Sequence, residues 1–152
     1  MKRLAIIMIL VATPAVASAQ MNMSFVTTAQ PAVVKPGAVL AITATFTHPD
    51  WMPMDVSKDA LFLVGLSYSL PGPYGMFVSP PIAVGTAKFT ETKVGNMHIH
   101  KATLRFRVPN VTLPPNFMAN FYFQSVAAVK TPMWRQPVPM PAFPAPVTLV
   151  SP

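Results

Sequence analysis

The chain carries three histidines, His48, His98 and His100, and methionine stands close to each of them. Met52 and Met54 follow His48 in "HPDWMPMD", and Met97 precedes His98 in "GNMHIHKA". Imidazole nitrogen suits Cu(II) or Zn(II), and thioether sulfur suits Cu(I). In a strand, alternate side chains share a face, so His98 and His100 can reach one ion. The candidate metal ligands are therefore His48, His98, His100, Met52, Met54 and Met97, with copper or zinc as the ion. The competing explanation is packing. A histidine at a strand end fills a rim with one hydrogen bond, and methionine is a flexible core filler. The balance of the sequence lies with packing, because only Asp50 and Asp55 stand near enough in sequence to complete a ligand set.

Catalytic chemistry finds little material. A serine hydrolase of the nucleophile-elbow type needs Gly-x-Ser-x-Gly, which is absent. The acids are four, Asp50, Asp55, Asp59 and Glu91, and three of them fall in one loop, where solvation is the ordinary state. A glycosidase would need two carboxylates facing each other across a cleft. No glycine-rich phosphate loop is present. With no cysteine at all, thiol chemistry and cysteine-held metals or clusters are excluded. The chain reads as a non-enzyme. Lys101, Arg105 and Arg107 alternate along one segment and form a candidate anion-binding face, against the plainer reading of a solvated sheet face. The bases are otherwise scattered, so a nucleic-acid partner is not expected.

The elements that must position these residues are strands. Across 152 residues, 19 prolines break any sustained helical pattern. Short β-branched and aromatic runs are separated by Pro, Gly, Asn and Asp, as in all-β sandwiches and barrels. Expected strands are Ser24 to Thr28, Val39 to His48, Ala60 to Ser69, Met76 to Ser79, Ile82 to Val84, Thr86 to Thr92, Met97 to Val108, Ala119 to Val129 and Val147 to Val150, seven to nine in all. "HPDWMPMDVSKD" reads as a loop, and the proline-dense segment 131–146 as an extended connection. Alternation puts Leu40, Ile42, Ala44 and Phe46 on one face, and His98, His100, Ala102, Leu104, Phe106 and Val108 on the inner face of a second strand. If those two strands run antiparallel, all three histidines meet at one end of the fold.

Residues 1–19 have the form of a secretory signal peptide. Met1-Lys2-Arg3 is positive, an apolar run follows, and Ala17-Ser18-Ala19 supplies the small residues of a cleavage site. The apolar run is short for a membrane anchor, so no transmembrane segment is expected in the mature chain. Residues 20–152 then form a single domain. Nine bases against four acids leave it at +5, down from +7 for the whole chain.

"PGAVLAITA" from Pro36 to Ala44 is similar to the opening of many bacterial immunoglobulin-like domains. "LRFRVPNVTLPPNFMANFYFQSVAAV" with the closing "PVTLV" resembles small secreted bacterial immunoglobulin-like β-sandwich domains. The resemblance implies an antiparallel immunoglobulin-like sandwich and export, and carries no activity, cofactor or site residue. The sequence thus describes an exported, non-catalytic β-sandwich, periplasmic or secreted, with a binding or structural role toward a protein or cell-envelope partner. The alternative is a periplasmic copper-binding protein using a His/Met cluster at one end of the sandwich.

Overall fold

The structure is a computed structural model, and it describes residues 23–69 and 76–152. The expected signal peptide, residues 1–19, lies outside the described residues, as does Met21. In chain order the strands are β1 (Ser24–Gln30), β2 (Val33–Val34), β3 (Val39–Pro49), β4 (Asp55–Val56), β5 (Asp59–Ser69) and β6 (Met76–Val78). They continue with β7 (Ile82–Lys88), β8 (Thr90–Val94), β9 (Met97–Arg107), β10 (Met118–Lys130), β11 (Val138–Pro141) and β12 (Ala145–Val150). Among the described residues there is no helix.

Two sheets form. The first has the order β1-β3-β9-β8, and every pairing in it is antiparallel. The second runs β2-β12-β10-β5-β6, with β11 and β4 also on β10 and β7 also on β5. Among the described residues its one parallel strand pairing is β12 with β2. Period-2 alternation drives this arrangement, because it gives each strand one apolar face to bury. On β3, Leu40, Ile42, Ala44 and Phe46 are buried while their neighbours are not. On β10, Ala119, Phe123, Ser125, Ala127 and Val129 are buried by the same rule. The two inner faces share one core, to which Phe46, Phe62, Phe123, Val129 and Val147 contribute fully buried side chains. Phe106 of the first sheet meets Phe123 of the second edge-to-face, with ring centroids 5.3 Å apart. Full burial of a residue of this size is worth about 1.5–3 kcal/mol, so the core can hold the fold without disulfides.

The twelve strands among the described residues exceed the expected seven to nine because short edge pieces pair where the sequence shows only loops. The expected strand Thr86 to Thr92 is two strands, β7 and β8, in different sheets. The chain crosses between them at Phe89, whose N–H donates to the Lys58 carbonyl at 2.8 Å. The loop after β3 is likewise interrupted by β4, where Val56 and Asp55 pair with Val129 and Lys130. The proline-dense segment 131–146 is not wholly a connection. Its β11 pairs with Val126 to Val129 as an edge strand, and an edge is where proline is tolerated in a sheet. Just beyond it, the Ala142 N–H donates to the Ser125 carbonyl, and Phe143 bonds to Phe25 and Thr27 on β1. The segment therefore spans from one sheet to the other along an edge.

Candidate functional site

Register builds the site. The β3–β9 pairing runs unbroken from Val39↔Arg107 to Pro49↔Met97, which sets His48 opposite His98 and Phe46 opposite His100. Strand β9 is joined to β8 through Gly95 and Asn96 alone, since Val94 pairs with Met97. A two-residue hairpin with positive φ at its first position, here Gly95 at 60°, is the type II′ geometry that glycine favours. This turn brings Lys93 opposite His98 and Glu91 opposite His100. The Asp50 N–H donates to the Asn96 carbonyl at 2.8 Å, which fastens the end of β3 to the hairpin turn.

His48 and His100 are both buried, and their Nε2 atoms face each other at 3.2 Å. The Nδ1 of His48 lies 3.1 Å from the Met52 carbonyl and 3.3 Å from that of Pro49. Carbonyls only accept, so this nitrogen carries the hydrogen. In the neutral ring, Nε2 of His48 is then the lone-pair nitrogen, and it points at His100. The His100 ring packs on Phe46 and edge-on to Phe89. Burial holds its pKa below the ordinary histidine value; the Glu91 charge opposes that shift, and the neighbouring His48 and His98 reinforce it. His100 is thereby kept toward its neutral form, the form that binds metals.

His98 behaves differently. Its ring stacks on His48 with centroids 4.8 Å apart and planes within 4°. Its Nδ1 contacts Glu91 Oε1 at 2.5 Å and its Nε2 contacts Asp50 Oδ1 at 2.5 Å. Two carboxylate acceptors call for two N–H donors, which is the imidazolium form. The Glu91 hydrogen bond, then that of Asp50, raises the His98 pKa above its usual value against partial desolvation. Lys93 Nζ stands 2.8 Å from Asp50 Oδ2, and it is the main cause of the lowered Asp50 pKa. His98 in turn lowers the pKa of Glu91. Glu91 and Lys93 are the site residues that the sequence does not point to, and Asp50, which stands near the histidines in sequence, enters as the partner of His98 rather than as an open ligand. The available signal was the Gly95-Asn96 turn, which fixes β8 against β9.

An open cleft of about 330 Å³ lies over the pair, lined by His48, Asp50, Pro53, Met54, Asp55, Val56, Glu91, His98 and His100. Of the six candidate ligands, His48, His98, His100 and Met54 are brought to this cleft. Met52 takes part through its carbonyl. Met97, opposite Pro49, is not part of the lining. Among the described residues, no three His, Cys, Asp or Glu side chains are placed to hold one ion. The reason is visible in the bonding, since both nitrogens of His98 are engaged by Glu91 and Asp50, and Lys93 also holds Asp50. Lys101, Arg105 and Arg107 stand exposed on the outer face of β9, and no ion pair to them exists among the described residues.

No family model matches this chain, and no curated protein matches it. Solved structures do. The chain is similar to the sporulation control protein Spo0M of Bacillus subtilis, with a TM-score of 0.52 at 7% identity over 85% of this chain and 49% of that one. It also aligns with the Pseudomonas fluorescens alkylpurine DNA glycosylase AlkC, bound to DNA containing an abasic site analogue, at a TM-score of 0.38, 10% identity, and 85% and 30% coverage. The chain thus spans about half of the Spo0M chain and less than a third of the AlkC chain. At such identity the Spo0M likeness concerns the fold alone. Among the described residues, no helix is long and apolar enough to cross a membrane.

Proposed function

We propose that this chain is an exported, non-catalytic binding protein on an immunoglobulin-like β-sandwich, and that the ligand it holds at its histidine end is a transition-metal ion. One observation carries the reading: two imidazole nitrogens, 52 residues apart in sequence, face each other at 3.2 Å beneath an open cleft. Two nitrogens on one tetrahedral ion with bonds of ~2.0–2.1 Å stand about 3.3 Å apart, so the pair already has the spacing that a shared ion needs. The His48 Nδ1 bonds to backbone carbonyls fix that ring's tautomer and direction, as outer-shell bonds do for metal-bound histidines. Copper and zinc both suit imidazole. The non-catalytic part of the reading is supported by the carboxylates. Asp50 and Glu91 are both tied to His98, and their lowered pKa values make them poor general bases.

A second reading has its own support. His100 Nε2–H donating to His48 Nε2 is a satisfied hydrogen bond, and the ring stack over Phe46 closes that end of the core. On this reading the end is structural and binds nothing. Titration of the purified protein with Cu(I), Cu(II) and Zn(II) separates the two. The metal reading expects affinity better than about micromolar, or −8.2 kcal/mol, lost in the His48→Phe/His100→Phe double variant. Weaker binding, or binding indifferent to that change, leaves the structural reading.

A further inference from the structure

We infer that Met54 supplies a thioether ligand beside His48 and His100, and that the three together form a site for a monovalent soft ion, Cu(I), in preference to Zn(II). The inference rests on the metal reading above and specifies the ion and the third ligand. Met54 lines the same cleft as the two Nε2 atoms and is partly buried against the core. It also lines a neighbouring hollow of about 370 Å³ with Pro53, Asp55, Lys130, Thr131 and Pro132. The side chain therefore stands between two openings, where an unbranched chain with three rotatable bonds can swing toward either. Its position is set by the crossing of the chain from β3 to β4, with the Met52 carbonyl held by His48 just before it and Asp55 paired with Lys130 just after it.

The free donors decide the ion. Asp50 and Glu91 are both engaged by His98, and Lys93 also holds Asp50, so neither carboxylate is free for an ion at the cleft. Asp55 lines the cleft as well, but its backbone is paired with Lys130 on β10 and it stands exposed. The donors left beside the facing nitrogens are two imidazoles and a thioether. Thioether sulfur is a soft donor that selects Cu(I), whereas structural Zn(II) sites are built from thiolate, imidazole and carboxylate.

The test is competition against a chromophoric Cu(I) chelator under anaerobic conditions, with Zn(II) titrated separately, for wild-type protein and for Met54→Leu. Leucine keeps the apolar packing and removes the sulfur. Changes to outer-shell partners alone cost 10–100-fold in affinity, so loss of a ligand should weaken Cu(I) binding by at least about tenfold and leave Zn(II) binding unchanged. Methyl-labelled methionine NMR of the wild-type protein provides a readout that needs no variant. The Met54 methyl resonance should move on addition of Cu(I) and stay in place with Zn(II). If Zn(II) binds as tightly as Cu(I), or the Met54 resonance does not respond to Cu(I), the inference is overturned while the metal reading stands. If neither ion depends on His48 and His100, both fall together.

Discussion

His48 and His100 meet nitrogen to nitrogen at 3.2 Å, yet they lie on facing strands at positions that are not directly opposite. The residue opposite His48 is His98, whose ring stacks on it. The contact is therefore diagonal across the β3–β9 pair, within the reach that long and aromatic side chains have for diagonal neighbours. His98 is then left free to face outward to Asp50 and Glu91. One strand pair thus holds two histidines of opposite character two residues apart, His100 kept toward neutral by burial and His98 kept charged by its acids.

That difference makes His48 and His100 unequal under the same substitution. His100→Phe keeps a ring against Phe46 and Phe89 but leaves the buried His48 Nε2 without a partner, so it should cost about 1–3 kcal/mol. His48→Phe likewise leaves His100 Nε2 without its partner and also strips the Met52 carbonyl of its side-chain donor, while the Pro49 carbonyl keeps the Met52 N–H, so it should cost about 1 kcal/mol more. Urea denaturation midpoints measure both. Equal midpoints for the two variants would show that the His48 Nδ1 bonds contribute nothing.

Much of this was legible from alternation. Leu40, Ile42, Ala44 and Phe46 were assigned to the inner face of β3, and all four are at most 1% exposed. The antiparallel approach of His48 to His98 and His100 also follows from reading two long strands with histidines at opposite ends. What alternation cannot show is a change of sheet. Residues from Thr86 to Thr92 read as one strand because nothing in their local pattern marks Phe89, and the break is imposed by its hydrogen bond to Lys58, 31 positions earlier. Proline misled in the same way at β11. Pro139 and Pro141 argue against a central strand, but an edge strand needs donors on one side only. The sequence leaves Asp50 in a loop, where solvation is the ordinary state, and Glu91 on a strand without a partner, because charge patterning along a sequence carries no register. Glu91 and Asp50 become His98 partners only once the Gly95-Asn96 turn and the Asp50 tie to Asn96 exist.

The pH response of the histidine end should have two limbs. His98 has a raised pKa, chiefly from Glu91 and then from Asp50. Its contribution to stability is thus full below the ordinary value of 6.5 and is lost as pH rises through the raised value. Asp50 and Glu91 have lowered pKa values, so theirs is full above 3.8 and 4.5 and is lost as pH falls through the lowered values. His100 adds an opposing limb. Burial favours its neutral form, so the fold gives up some stability as pH drops below 6.5. The groups facing His98 are Asp50 and His48 from β3 and its following turn, Glu91 and Lys93 from β8, and His100 on its own strand. Glu91→Gln should move the NMR titration midpoint of His98 downward. The stability gap between this variant and the wild type should narrow at high pH, where His98 loses its proton. A gap constant from pH 5 to above the His98 midpoint would refute the ion pair.

Gly85 tests how tightly the two sheets close over Leu104. It sits at the β5–β7 irregularity, opposite Phe62. A Cβ built there would stand 3.2 and 3.3 Å from the two methyl carbons of Leu104 on β9. Leu104 is packed against the core and would have to give by a few tenths of an ångström, and the positive φ of Gly85, 158°, disfavours a side chain in its own right. Gly85→Ala should therefore cost about 1–3 kcal/mol, the usual range for overpacking. Shortening the opposing side chain in Gly85→Ala/Leu104→Val should recover part of it. Calorimetric melting of the three variants measures the effect, and a double variant no more stable than Gly85→Ala would place the strain elsewhere.

The sheets are also joined by a buried polar contact. Thr27 on β1 and Ser125 on β10 are both buried, with their hydroxyl oxygens 2.7 Å apart, and the Ser125 N–H donates to Thr27 Oγ1 at 3.0 Å. Thr27 Oγ1 thus serves two partners from the opposite sheet at the edge where Phe143 bonds to β1. Thr27→Val fills the same volume but orphans both partners, and a buried group left unsatisfied costs about 1–3 kcal/mol. Ser125→Ala removes only one of them, so it should cost less. In the double variant the Ser125 hydroxyl is no longer stranded, and the loss should fall short of the sum of the single losses by about 0.5–3 kcal/mol, the range of coupling for residues in contact. Urea unfolding of the four proteins closes the cycle. Strict additivity would mean that the two hydroxyls meet without stabilising the junction, and the closure of this edge would then rest on the Phe143 backbone bonds alone.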